Sequence, residues 1–269
     1  MVKGAAGALR VVVTRPAHDA LPWVEQLHQN GFDAQSLPLM DIAPLTPVVD
    51  AAAMMRGHDA LMFVSGNAVS HFLTPEIAAP FIGTAMRFMA PGPGTAAALL
   101  ACGVPASQID VPPADAGQFD SEALWELVGG RNWPGKRVLV VRGSSAADAP
   151  AGRDWLAQQL QAAGATVDFV SVYERRSPQP GPEEQQLAHA AAADGSVWLF
   201  SSSEAVHNLT ALVAGQSEAT VDWRRARAVA THPRIARTLK EAGWGVVVES
   251  RPTLNDIVAT LRSIESAYP

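Results

Sequence analysis

The chain has 269 residues, a net charge of −6 and one cysteine, Cys102. That length is a prior for about two domains with cores of their own, and a single cysteine excludes an internal disulfide, which suits a reducing compartment. Acidic balance with scattered arginines argues against a nucleic-acid partner, and no apolar run reaches the ~18 residues of a membrane span. The opening MVKGAAGALR carries no long apolar stretch, so the expectation is a cytoplasmic protein.

Short β-branched runs alternate with Ala/Leu-rich helical patterns, the signature of parallel sheets covered by helices. In chain order the first half predicts a strand over Arg10 to Thr14, a helix over Ala20 to Gln29, and strands over Ala34 to Leu39 and Ala60 to Val64. A helix over Asn67 to Phe72, a strand over Arg87 to Ala90 and a helix over Thr95 to Ala101 follow. The second half predicts strands over Arg137 to Val141, Thr166 to Tyr173, Val197 to Ser201, Ala226 to Ala230 and Gly245 to Glu249. Its helices are expected over Arg153 to Ala163, Glu183 to Ala192, Glu204 to Leu212, Ile235 to Ala242 and Thr253 to Ile264.

The halves repeat one another. VVVTRP from Val11 returns as VLVVRG from Val138, WVEQLHQNG from Trp23 as WLAQQLQAAG from Trp155, and FVSGNAV from Phe63 as FSSSEAV from Phe200. APGPGTAAALLACG from Ala90 returns as ATHPRIARTLKEAG from Ala230. Two similar halves predict two lobes, with a cleft between them as the place for a small ligand. Tandem lobes would divide in the turn Gly129 to Gly135. Two proline-rich stretches at matching places, Pro38 to Pro47 and Ser177 to Pro182, fit interleaved lobes equally well.

Candidate ligand contacts fall just after strands, the edge at which open α/β sheets bind ligands. They are Arg15, Ser65 with Asn67, Gly94 with Thr95 in PGPGT, Arg142, and Ser202 with Ser203. Capping explains each hydroxyl singly: Thr95 as a helix cap, and Ser201 with Glu204 as a capping box. Together, free N–H groups at several helix starts and the arginines suit a ligand with several carboxylates. PGPGT is neither a Walker A loop nor a dinucleotide fingerprint, and the histidines lack metal-ligand spacing. His232, in THPR, reads as a loop or ligand-contact residue. Tyr173, beside Arg175 and Arg176, is a candidate proton donor whose plainer reading is a half-buried tyrosine with a wet hydroxyl. Cys102 reads as a small buried hydrophobe on the helix Thr95 to Ala101, not as a nucleophile.

Taken in order, VVVTRP, FVSGNAV, APGPGTAAAL, DSEALWEL from Asp120, VLVVRG, VSVYERR from Val170, FSSSEAV and PTLNDIVATL from Pro252 resemble the uroporphyrinogen-III synthase family over nearly the whole chain. The resemblance implies two flavodoxin-like lobes, each a parallel sheet with helices on both faces, interleaved and joined by a two-stranded linker. Lobe 1 would hold 1–38 and 175–269, lobe 2 would hold 42–170, and the linkers would lie near 38–44 and 170–176. It implies a lyase of heme biosynthesis that needs no cofactor and no metal, acts as a monomer, and cyclises hydroxymethylbilane, a linear tetrapyrrole with eight carboxylates, to uroporphyrinogen III. Tyr173 matches the family tyrosine proposed to help the terminal hydroxyl depart, and Ser65, Thr95 and Ser202 match positions lining the cleft. Many members carry Gly-Pro-Thr-Thr-Ala before the late helix. This chain has His232, Pro233, Arg234, Ile235 and Ala236 there, so the threonine role does not carry over and Arg234 is the substitute contact. A non-catalytic two-lobed sensor of an anionic metabolite is the alternative from another functional class.

Overall fold

The computed structural model describes residues 8–45, 50–145, 155–214 and 221–268. Arg153 and Asp154, the expected start of a helix, and Thr46 and Pro47, the end of the first proline-rich stretch, lie outside them. The chain divides into two compact units, Met1–Asp41 with Ser177–Pro269, and Ile42–Arg176.

The first unit opens with β1 (Arg10–Val13), α1 (Ala17–Gln29) and β2 (Asp33–Ser36). The chain then runs through β3 (Asp41–Pro44), α2 (Ala51–Arg56), β4 (Ala60–Phe63), α3 (Gly66–Phe72), α4 (Pro75–Ala78), β5 (Arg87–Met89) and α5 (Pro93–Ala101). The second unit is completed by β6 (Ile109–Asp110), α6 (Ser121–Val128), β7 (Arg137–Ser145), α7 (Trp155–Ala162) and β8 (Thr166–Arg176). Back in the first unit follow α8 (Pro182–Ala191), β9 (Val197–Phe200), α9 (Ser203–Ala214), β10 (Arg227–Ala230), α10 (Pro233–Glu241), β11 (Val246–Glu249) and α11 (Leu254–Ala267).

The first unit's sheet has the order β11-β10-β9-β1-β2, all parallel. Its central strands are buried on both faces, which is why VWLF in β9 and VVV in β1 read as unbroken apolar runs. On one face Val11, Val13, Val197 and Leu199 pack on Leu27 of α1 and on Ile257, Leu261 and Ile264 of α11. On the other, Val12, Trp198 and Phe200 meet α8, α9 and α10 through Ala188, Leu209 and Leu239.

The second unit's sheet has the order β3-β8-β7-β4-β5-β6, with β8, β7, β4, β5 and β6 parallel. Leu61, Phe63, Leu139 and Val141 pack with α2, α3 and α5, while Met62, Val138 and Val140 pack with α6 and α7. The chain enters this unit within β3 and leaves it at the end of β8, and those two strands are hydrogen-bonded neighbours. β3 lies inside the proline-rich stretch. As the sheet's outermost strand it tolerates Pro44, which has no N–H to give to a ladder.

Each repeated segment contributes one copy to each unit. β1 and α1 answer β7 and α7, β4 and α3 answer β9 and α9, and α5 answers α10. The strand orders correspond as well, with β11-β10-β9-β1-β2 matching β6-β5-β4-β7-β8.

Most element boundaries move by a residue or two from the sequence expectation, and the larger shifts have causes. α1 begins at Ala17 because Pro16 caps it, with Pro22 carried inside the helix. α6, which the sequence reading noted only as a family motif, starts where Asp120 Oδ1 accepts the Ala123 N–H at 2.9 Å. β7 and β8 run on to Ser145 and Arg176, across an irregularity at Arg142/Gly143.

Candidate functional site

In the second unit, β4 ends at Phe63, and the chain turns through Ser65 into α3. Ser65 Oγ accepts the Ala68 N–H at 3.1 Å, so the serine is the helix cap. The same Oγ lies 3.1 Å from the hydroxyl oxygen of Tyr173. Tyr173 is 3% exposed. Its hydroxyl is therefore bonded within the protein, not to bulk water as the plainer sequence reading had it. The ring of His71 is tilted against the Tyr173 ring, 5.6 Å between centroids, and His71 Nδ1 donates to the Asn67 carbonyl at 2.9 Å. Asn67 itself is buried on α3.

Gly143 is the companion that sequence reasoning missed. It stands opposite Tyr173 just past the bulge, and a Cβ there would overlap the tyrosine ring. A glycine inside a strand is the usual mark of a bulge or a close approach, and that was the available signal.

α5 begins beside α3: a Cβ on Gly66 would sit 3.9 Å from the Gly94 carbonyl. The cap of α5 is Gly92, which has no side chain to offer, and Thr95 is two residues into the helix and 7% exposed. The expected Thr95 cap is thus corrected, and the N–H groups of Gly94 and Thr95 open the helix without a side-chain acceptor. Arg142 is set apart from this group. It follows Val141 of the α3-facing row, so alternation turns it to the opposite face, where its guanidinium lies over Phe169 at 4.7 Å.

In the first unit, β1, β9 and β10 are adjacent and parallel, so Arg15, Ser202 and His232 leave the same sheet edge. Arg15 lies 4.6 Å over the Trp23 ring, and its Nε is buried without a hydrogen-bond partner. Burial pushes its guanidinium below the ordinary value, and Asp19 acts in the opposite sense. Ser202 Oγ accepts the Glu204 N–H at 3.1 Å, so Ser202 holds the start of α9 in place of the expected Ser201. Ser203 Oγ takes the Thr238 hydroxyl at 3.2 Å, tying α9 to α10. His232 is the cap of α10, its Nδ1 accepting the Arg234 N–H at 3.0 Å. The sequence reading of His232 as a loop or ligand-contact residue gives way to a helix cap, since an imidazole nitrogen reaches that N–H as an Asn side chain would. Arg234 is exposed in the first turn.

Cys102 caps the C-terminus of α5, its Sγ 3.5 Å from the Leu73 carbonyl, and burial pushes its thiol up. Among the described residues no group of three or more His, Cys, Asp and Glu side chains could hold a metal ion, and no helix is long and apolar enough to cross a membrane.

Residues 22–259 match the model of the family described as uroporphyrinogen-III synthase HemD. The chain belongs to the uroporphyrinogen-III synthase family. It is 28% identical to the uroporphyrinogen-III synthase of Salmonella typhimurium over 96% of this chain and 100% of that protein. Identity to the Synechococcus elongatus enzyme is 30% over 79% and 77% of the two chains. Among solved structures, uroporphyrinogen-III synthetase from Helicobacter pylori aligns with a TM-score of 0.55 at 16% identity, covering 95% of this chain and 99% of that one. A mutant uroporphyrinogen III synthase from Thermus thermophilus aligns at 0.54 and 18%, covering 97% and 100%. At those identities the structures speak for the fold: mixed α/β, with two parallel sheets flanked by helices.

Proposed function

We propose that this chain converts hydroxymethylbilane to uroporphyrinogen III, as a monomeric cytoplasmic enzyme needing no metal or cofactor. The observation that carries the reading is family membership across residues 22–259, which favours an enzyme over a sensor.

The chemistry starts at the terminal hydroxymethyl group. Tyr173 hands its phenolic proton to the departing oxygen, the C–O bond breaks with its electron pair on that oxygen, and water leaves. The adjacent pyrrole nitrogen feeds its lone pair into the carbon left behind, giving an azafulvene cation. The substituted carbon of ring D attacks it to form a spiro intermediate. Fragmentation and reclosure invert ring D, and loss of a proton restores the aromatic pyrrole. Unassisted closure yields the type I isomer, so the protein must choose which carbon attacks, and holding reactants in place is a large lever for that.

The acidic side chains of the substrate call for cationic and N–H donors. Arg15, Arg142 and Arg234 are assigned to carboxylates, with Arg15 the strongest of the three because its desolvated guanidinium gains most from an anion. The open N–H groups of Gly94 and Thr95, and the polar groups of Asn67, Ser202 and Ser203, are assigned to the remaining contacts.

Fresh hydroxymethylbilane, with the oxidised porphyrins separated by chromatography, tests the activity: type III should dominate, and type I alone would refute it. Tyr173→Phe removes the proton and keeps the ring. General acid assistance is typically worth ~10²- to 10⁴-fold. We expect about 10²-fold or less in kcat, because the pyrrole nitrogen itself expels the hydroxyl. An unchanged kcat with type III product would remove Tyr173 from the mechanism.

A further inference from the structure

We infer that Gly143 and Ser65 form a seat that fixes the ring and the hydroxyl of Tyr173, and that both act on the reaction through this tyrosine, without touching substrate. The inference rests on the catalytic role proposed for Tyr173.

Three contacts define the seat. The register passes from Arg142 opposite Ser171 to Gly143 opposite Tyr173, with Val172 the extra residue of β8, and this sets a bare Cα against the ring, a place no side chain could share. From the side comes the His71 ring at 5.6 Å. At the tip, Ser65 Oγ lies 3.1 Å from the phenolic oxygen. Ser65 is itself immobilised by the Ala68 N–H. With one lone pair on that N–H, the serine can donate its own proton to Tyr173, which leaves the phenolic proton directed away from the pair and available to an outside acceptor.

The other unit supplies the contrast. Pro16 occupies the position of Gly143 in the repeat and starts a helix at once, so no strand extension and no such seat forms there. Retention of a strand glycine with a bulge, which weakens a sheet, is accounted for by what it admits.

Misplacement of a reacting group by about 1 Å can cost on the order of 10²-fold in rate. Gly143→Ala forces the ring off its place, so kcat should fall ~10- to 100-fold with KM changed far less. Ser65→Ala should lower kcat about tenfold, and Ser65→Thr, which keeps a hydroxyl on the same backbone, should recover most of it. The chain has only two tyrosines, Tyr173 and Tyr268. Protein made with 3-fluorotyrosine therefore gives two ¹⁹F resonances, assigned by Tyr268→Phe. Gly143→Ala should move the Tyr173 resonance and leave the Tyr268 one in place.

In a Tyr173→Phe background, Gly143→Ala should cost no further kcat. The same loss in that background would overturn the inference, since Gly143 would then act elsewhere. An unmoved resonance with normal kcat in Gly143→Ala, beside a slow Tyr173→Phe, would overturn the seat alone. Normal kcat in both Tyr173→Phe and Gly143→Ala would overturn the role of Tyr173 and the positioning claim together. Should Gly143→Ala fail to fold, the Ser65→Ala and Ser65→Thr pair decides: equal kcat for Ser65→Ala and the parent refutes the serine's part.

Discussion

The two units share a strand order and a repeated sequence, yet their carboxyl edges have diverged in kind. In the first unit β1 and β2 stop together, Val13 opposite Ser36, and the edge presents Arg15, Ser202 and the His232-capped α10. In the second unit the equivalent pair, β7 and β8, runs past the edge to Ser145 opposite Arg175, and the extension carries Gly143 and Tyr173. One residue after the shared arginine separates the outcomes. Proline begins a helix, while glycine lets the strand continue beside the bulge of its neighbour at Val172. A duplicated scaffold thus yields one edge rich in cationic and helix-start groups and another holding a half-buried hydroxyl pair.

The units also differ in where their charges are kept, and breaking the deepest pair should have the largest effect. Asp110 in β6 is 3% exposed and takes both guanidinium nitrogens of Arg131 at 2.6 Å, together with Arg87. Burial alone would raise its carboxyl; hydrogen bonds and charge from Arg131 and Arg87 outweigh that and hold it below the usual value. Asp110→Asn should cost ~3 kcal/mol, the lower end for a broken buried pair, because both arginines stay about a third exposed and can hydrate. The pH sign follows from the lowered value. Its contribution is complete above the unfolded carboxyl value near ~4 and is lost as pH falls through the folded one. Urea midpoints for parent and variant should therefore converge in acid. A gap that persists well below pH 3 would show that packing, not charge, sets the loss.

Arg15 gives the opposite balance of stability and function. Its Nε is buried and unpartnered, so Arg15→Met, which keeps an apolar stem beside Trp23, should leave the melting temperature unchanged or slightly raised. Loss of one charge-assisted contact to a carboxylate, ~1.5 kcal/mol, should raise KM about tenfold. A lower melting temperature with normal KM would make Arg15 a structural residue and weaken the contrast between the edges.

Much of this was legible in the sequence because it depends on neighbours in the chain. Runs such as ALMF and VWLF declare strands buried on both faces, and the repeats announce duplication. The chain exchange between units was not legible from the repeats alone, since tandem and interleaved lobes have the same order of segments. Caps were only half legible. Thr95 and Ser201 were assigned as caps by residue type and His232 as a loop or ligand-contact residue, whereas the turn geometry gave the cap positions to Gly92, Ser202 and His232. The Ser65–Tyr173 contact joins residues 108 apart, and only the adjacency of β4, β7 and β8 brings them together. Gly143 carried a faint local signal, a glycine in a β-branched run, whose meaning required the ring lying on it.

The smallest effect is expected at the opposite edge of the first unit. Arg10, at the start of β1, reaches Asp33 at 3.2 Å and Asp194 at 2.7 Å, with all three side chains about a third or more exposed. Asp33 lies at the start of β2, directly across the ladder from Arg10. Removing its charge in Asp33→Asn leaves the arginine paired to Asp194 and the strand register untouched. Exposed pairs of this kind contribute ~0.2–1 kcal/mol, and salt screens them. The urea midpoint should shift by no more than that at low salt, and the difference should vanish near 1 M salt. In the second unit Thr166 takes the ladder place of Asp33, and Arg137 pairs instead with Asp168 at 2.7 Å, which also meets the largely buried His58 at 2.9 Å. Asp168→Asn should therefore cost more than Asp33→Asn and retain part of its cost in salt, because a buried imidazole loses its carboxylate partner. Equal, fully screened losses at the two sites would show that the duplicated strand starts are electrostatically interchangeable and that divergence is confined to the carboxyl edges.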